Sequence, residues 1–96
     1  MGIPEILQTE REEILRVAAK HGVMQVRVFG SVARGEAGPE SDVDFLVEVG
    51  PRPTPFFPGG LVAELENLLR RKVHMVTAPA IHWYIRERVL REAVPL

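Results

Sequence analysis

The sequence predicts an α/β fold, a small mixed sheet packed against helices, with elements in the order αβαβαβα. Apolar residues recur at helical spacing in residues 3–21, 61–69 and 79–94, and they alternate at the two-residue period of a strand in 25–29 and 42–49. Gly-, Pro- and Ser-rich breaks at 30–31, 36–41 and 50–60 separate these segments.

Taken in order, Ile3, Ile6, Leu7, Ile14, Leu15 and Ala18 form one helical stripe, with Pro4 suited to a first turn and Gly22 to a stop. Thr9 and Glu12 are spaced as a capping box, so one long helix and a short helix with a leading arm both fit. Strand one is expected at 25–29, and Val32 to Arg34 should begin a short helix after Gly30-Ser31. Strand two, 42–49, puts Val43, Phe45, Val47 and Val49 on one face and Asp42, Asp44, Leu46 and Glu48 on the other. After the Pro-rich loop, Leu61, Leu65, Leu68 and Leu69 mark a helix, 72–76 a third strand, and Pro79 the opening of a last helix through Ile81, Ile85 and Val89.

The chain has 96 residues, 46% hydrophobic and 26% charged, which suits one domain (1–96) with a single modest core. Twelve basic against thirteen acidic side chains leave no surplus of the kind that nonspecific nucleic-acid binding requires. Without cysteine, neither disulfides nor thiolate zinc sites are available. With no membrane-length apolar run and no signal-peptide pattern, the expected location is the cytoplasm.

Asp42 and Asp44 are the only aspartates in the chain; the other eleven acids are glutamates. On a strand their Cα atoms lie ~6.6 Å apart on one face. Two carboxylates at that range repel by roughly 0.6 kcal/mol in water and ~2.5 kcal/mol at an effective dielectric of 20. A cation between them reverses the sign, and Mg²⁺ prefers one or two carboxylates completed by waters and phosphates. Just upstream, a strand ending in Gly30-Ser31 and entering a helix would aim backbone N–H groups at a phosphate, with Arg34 one turn on. A Gly-Ser turn or an Asp-x-Asp pair alone is a common surface feature; the ordered combination is far more specific.

Gly30-Ser31, Ala33-Arg34-Gly35 and Ser41-Asp42-Val43-Asp44 together resemble the signature of DNA polymerase β-like nucleotidyltransferases, most closely the minimal nucleotidyltransferases of bacteria and archaea. The likeness extends over roughly residues 14–96 through ELENLLRRKV and RERVLREAVPL. It implies the nucleotidyltransferase fold and ATP as substrate, bound with Mg²⁺ or Mn²⁺. Gly30, Ser31, Arg34 and Ser41 would bind the nucleotide, and Asp42 and Asp44 would ligate two metal ions, the second shared with a third carboxylate. It also implies a HEPN-domain toxin as partner, neutralised by AMP transfer.

The sequence departs from the family where strand three should carry a third carboxylate: it reads Lys72-Val73-His74-Met75-Val76. Three readings of His74 stay open. It is a neutral ligand or base, the mark of a site that binds nucleotide but transfers it slowly or not at all, or an ordinary structural histidine. Glu48, two pleats beyond Asp44, is too distant to substitute, and Glu36 and Glu40 belong to a loop. His21 falls at a helix end and His82 early in the last helix. One of Phe56 and Phe57 is expected to cap the core, the alternative being an exposed contact for a partner or a second copy. Tyr84 is expected nearer the core face, which leaves Trp83 the better candidate for an interface anchor. Two functions follow: a metal-dependent adenylyltransferase using Asp42, Asp44 and His74, or a nucleotide-binding module that neutralises its partner by occupancy.

Overall fold

The computed structural model describes residues 5–34, 42–53, 55 and 57–96. Helices α1 (Glu5–Thr9) and α2 (Arg11–Lys20) lead into β1 (Val23–Phe29) and β2 (Val43–Val49). Then come α3 (Gly59–Leu69), β3 (Val73–Thr77), a 3₁₀ turn (Ala78–Ala80), α4 (Trp83–Glu92) and β4 (Val94–Pro95). The sheet is mixed, in the order β3-β2-β1-β4. β2 runs antiparallel to β1 and parallel to β3, and β4 is antiparallel to β1.

The expected α/β architecture is present, with β2 and β1 at its centre. Val43, Phe45 and Val47 of β2 are buried on one face with Val26 and Val28 of β1, against Leu7, Ile14, Val17, Leu61, Leu65 and Leu69 of the first three helices. Val23 joins this core although it is an odd number of residues from Val26, because the β1–β2 register shifts between Val23 and Gln25. On the opposite face a smaller cluster of Leu46, Ile81 and Val89 seats α4. Phe57 is half-buried against the main core, as one of the two phenylalanines was expected to be; Phe56 lies outside the described residues.

Several local expectations are corrected. The first stripe is two helices, since Glu10 (φ −96°, ψ 11°) breaks it; no Thr9 capping box forms, and the cap position of α2 is Glu10, without a side-chain bond. Residues 30–34 form a single turn of helical type, with Arg34 N–H donating to the Gly30 carbonyl four residues back at 3.1 Å; whether a helix continues lies outside the described residues. Pro79 opens only the 3₁₀ turn: Ile81 is extended (φ −73°, ψ 132°), so α4 starts at Trp83, with His82 Nδ1 accepting from Tyr84 N–H.

Ile81 thus does not mark a face of α4, whose one buried residue is Val89, five positions and about 140° from Tyr84. Tyr84 (74% exposed) is therefore at the surface and stacks on Trp83 (80% exposed), rather than turning toward the core. The expected order also lacked β4, two residues that an edge position allows despite Pro95. His21 is buried at the end of α2, with Nε2 at 2.6 Å from Glu64 of α3.

The burial contrast gives a direct check. Leu65→Ala, at a residue 1% exposed, should lower unfolding free energy by about 2–5 kcal/mol in a urea titration. Trp83→Ala should change it by less than about 0.5 kcal/mol.

Candidate active site

The alternation that buries Val43, Phe45 and Val47 turns Asp44 to the other face of the sheet, where Phe29 and His74 pair with it in register. Asp42 stands one residue before β2, on the same side. His74 Nε2 lies 2.8 Å from Asp42 Oδ2, and both side chains are about half exposed (51% and 46%). The third-strand histidine thus belongs to the carboxylate cluster and not to the core.

Gly30 completes the arrangement from β1. Its φ of 74° is a left-handed conformation that costs glycine little, and a Cβ there would collide with Oδ2 of Asp44. The glycine is required both by the turn and by the aspartate beside it. Ser31 and Arg34 follow in the same turn. Ser41 lies outside the described residues, as do Glu36 and Glu40.

One participant has no counterpart in the sequence motif. Glu92, the last residue of α4, accepts from Gly30 N–H at 2.7 Å through Oε1 and from Arg34 Nη1 at 3.0 Å through Oε2. The donors expected to meet phosphate therefore hold a carboxylate of the chain itself. The only sequence signal is a lone acid before the final apolar AVPL segment.

Burial pushes the Asp44 carboxyl above its usual value; positive charge at His74 and Arg34 pulls it back, while Asp42 and Glu92 push it further up. For Glu92, burial also acts upward, but the Arg34 and Gly30 hydrogen bonds outweigh it and hold the carboxyl below the ordinary range. Among the described residues no three acidic or histidine side chains are arranged as a ready-made metal cage. Two carboxylates on one face beside a turn fit instead a hard divalent ion whose remaining ligands come from water and phosphate. A groove of about 480 Å³ lies farther along the same face, between Arg27, Leu46, Glu48, Thr77 and Leu90. Its lining holds Arg27 and Glu48 but no paired carboxylates, so the aspartates remain the candidate site.

The two carboxyls should affect stability with opposite sign. Asp44 gains protons on folding, so ionising it costs stability that grows as pH rises from 3.8, the ordinary aspartate value, to its raised value and stays constant above. Asp44→Asn should therefore raise the melting temperature of the ligand-free protein at pH 7. Glu92 is stabilising above about its ordinary value of 4.5, and that contribution is lost as pH falls through its lowered value. Glu92→Gln should lower the melting temperature at pH 7 and lose this effect in acid, as followed by circular dichroism.

Comparison with known proteins identifies the family. The model of the nucleotidyltransferase domain matches residues 11–96. A protein of Methanocaldococcus jannaschii provisionally named protein adenylyltransferase MJ0435 is 38% identical over 94 residues, covering 98% of this chain and 97% of the relative. Protein adenylyltransferase MntA of Thermococcus cleftensis is 37% identical over 92 residues, covering 96% and 90%. A solved structure provisionally described as a minimal nucleotidyltransferase superposes with a TM-score of 0.84 at 45% identity, over 100% of this chain and 97% of the other. The MntA–HepT toxin–antitoxin crystal structure shares the fold, with a TM-score of 0.66 at 16% identity over 92% of this chain and 69% of that one. With its Gly-Ser turn set against an Asp-x-Asp strand and relatives matched over nearly their whole length, the chain belongs to the nucleotidyltransferase domain family.

Proposed function

We propose that this protein transfers the adenylyl group of ATP to a hydroxyl of a partner protein, a HEPN-type toxin, in the cytoplasm. The observation that carries this reading is Asp44, held in one register between the Gly30 turn and His74, with Asp42 on the same face. Relatives bearing the name protein adenylyltransferase support the reaction class, and the fold shared with a toxin–antitoxin complex supports the kind of partner.

In this reading Gly30 and Ser31 hold the triphosphate, and Arg34 and Ser41 border it. Asp42 and Asp44 would hold Mg²⁺ or Mn²⁺. Bound there, a divalent ion supplies neutralisation of the charge that builds on the transferred phosphoryl group. The acceptor oxygen attacks the α-phosphorus, the bond from that phosphorus to the bridging oxygen breaks, and pyrophosphate leaves with the electron pair. The hydroxyl proton passes to a base at the β3 position or to solvent.

His74 holds Asp42 through Nε2, so it orients a carboxylate where a third carboxylate would attract a second cation. That bond favours a second reading: a site that binds ATP while transferring slowly, with the partner restrained by occupancy.

Transfer from α-labelled and γ-labelled ATP to a purified HEPN-domain protein tests both. The first reading predicts label from the α position alone, reduced roughly 100-fold or more by Asp42→Asn or Asp44→Asn. His74→Asp should raise transfer by roughly 10–100-fold, the scale of changes in a metal's ligand shell. Binding of ATP and partner without label in either wild type or His74→Asp would establish occupancy and overturn transfer. Label from the γ position would overturn adenylylation.

A further inference from the structure

The most informative contact outside the sequence motif is Glu92 on the Gly30 turn. Its two carboxylate oxygens take the Gly30 N–H at 2.7 Å and Arg34 Nη1 at 3.0 Å. A planar carboxylate bridging a backbone N–H and a guanidinium uses the donors that a phosphate oxygen would use. The side chain is partly covered, 20% exposed.

The carboxylate is in an unfavourable place for its own helix. Glu92 is the last residue of α4, where the helix dipole presents its negative end and favours cations. It also adds a third negative charge near Asp42 and Asp44. Helix packing brings Glu92 to the turn, and the pair of donors across the gap offsets the unfavourable helix dipole at its carboxylate. Gly30 has one N–H, which cannot serve both Glu92 and an incoming phosphate oxygen in good geometry.

We infer that Glu92 is a resident anion in the phosphate seat formed by Gly30 N–H and Arg34, and that nucleotide binding proceeds by exchange, the phosphate taking these donors as Glu92 withdraws to solvent. This rests on the nucleotide reading above and adds to it a residue that sets nucleotide affinity. The exchange keeps the seat's donors satisfied by a charged acceptor in the ligand-free protein. It also makes affinity lower than the donors alone would give, because each binding event must displace a charged competitor. Glu92 is accordingly a positioning residue of the ligand-free turn and a competitor of the substrate, not a catalytic residue.

Calorimetric titration of ATP with Mg²⁺ into the full chain distinguishes exchange from a permanent brace. Exchange predicts that Glu92→Gln binds ATP about three- to tenfold more tightly than wild type, even as its ligand-free melting temperature falls. A brace predicts weaker binding in Glu92→Gln, because the turn loses its support. Equal or weaker binding by a folded Glu92→Gln, with wild type binding, overturns the exchange and leaves the nucleotide reading standing. No binding by either protein with Mg²⁺ or Mn²⁺ overturns both. The ¹³C resonance of the Glu92 carboxyl in wild type supplies a readout that needs no variant. Exchange predicts that it moves to the position of an exposed glutamate when ATP and Mg²⁺ saturate the protein; an unmoved resonance overturns it.

Discussion

The two-residue period of β2 governs both the core and the site. Val43, Phe45 and Val47 must point to the helical layer, where they are at most 3% exposed, so Asp44 has no freedom to join them. A slip of one residue would bury the aspartate among α2, α3 and β1 and put Phe45 in water. Hydrophobic burial in the centre of the sheet thereby fixes a carboxylate on the opposite face. Parallel pairing with β3 brings His74 beside it, and antiparallel pairing with β1 brings Gly30 close enough that a methyl group would not fit. Core register and site geometry are the same constraint read from the two sides of one strand.

At the carboxylate end of the sheet, Asp44 costs the free chain stability. Asp44 is partly desolvated near Asp42 and Glu92, with Arg34 and His74 as the opposing groups. The free energy for this comes from the other face, where α1, α2 and α3 cover the strands. The smaller Leu46–Ile81–Val89 cluster acts separately, placing the last turn of α4, and hence Glu92, across the Gly30 turn. Beyond it, Leu96 N–H donates to Val26, and Arg11 Nε donates to the Leu96 carbonyl, tying the segment after α4 to β1 and α2.

The sequence is most informative where a short local period determines the outcome. The face shared by Asp42 and Asp44 follows from strand alternation, and the buried leucines of α3 follow from helical spacing. Contacts across long separations leave no such trace. Glu92 meets Gly30 from 62 residues away, and an isolated glutamate in a charged helix carries no sign of its partner. The position of His74 is legible as a departure from a family pattern, but its bond to Asp42 depends on the parallel β2–β3 register, which spacing does not encode. Tyr84 is misplaced by periodicity for a phase reason: spacing counts Ile81 as helical, whereas it is buried from an extended segment before α4 begins. The two-residue β4 is too short for periodicity to detect, and its pairing is imposed by the strand beside it.

Anomalous diffraction from crystals grown with Mn²⁺ and a non-hydrolysable ATP analogue would locate metal and nucleotide together. If β2 presents its aspartates as a metal seat, a manganese peak lies between the Asp42 and Asp44 carboxylates, with nucleotide phosphates over Gly30 and Ser31. Manganese elsewhere, or a nucleotide seated in the groove between Leu46 and Leu90 with the aspartates uninvolved, would contradict it.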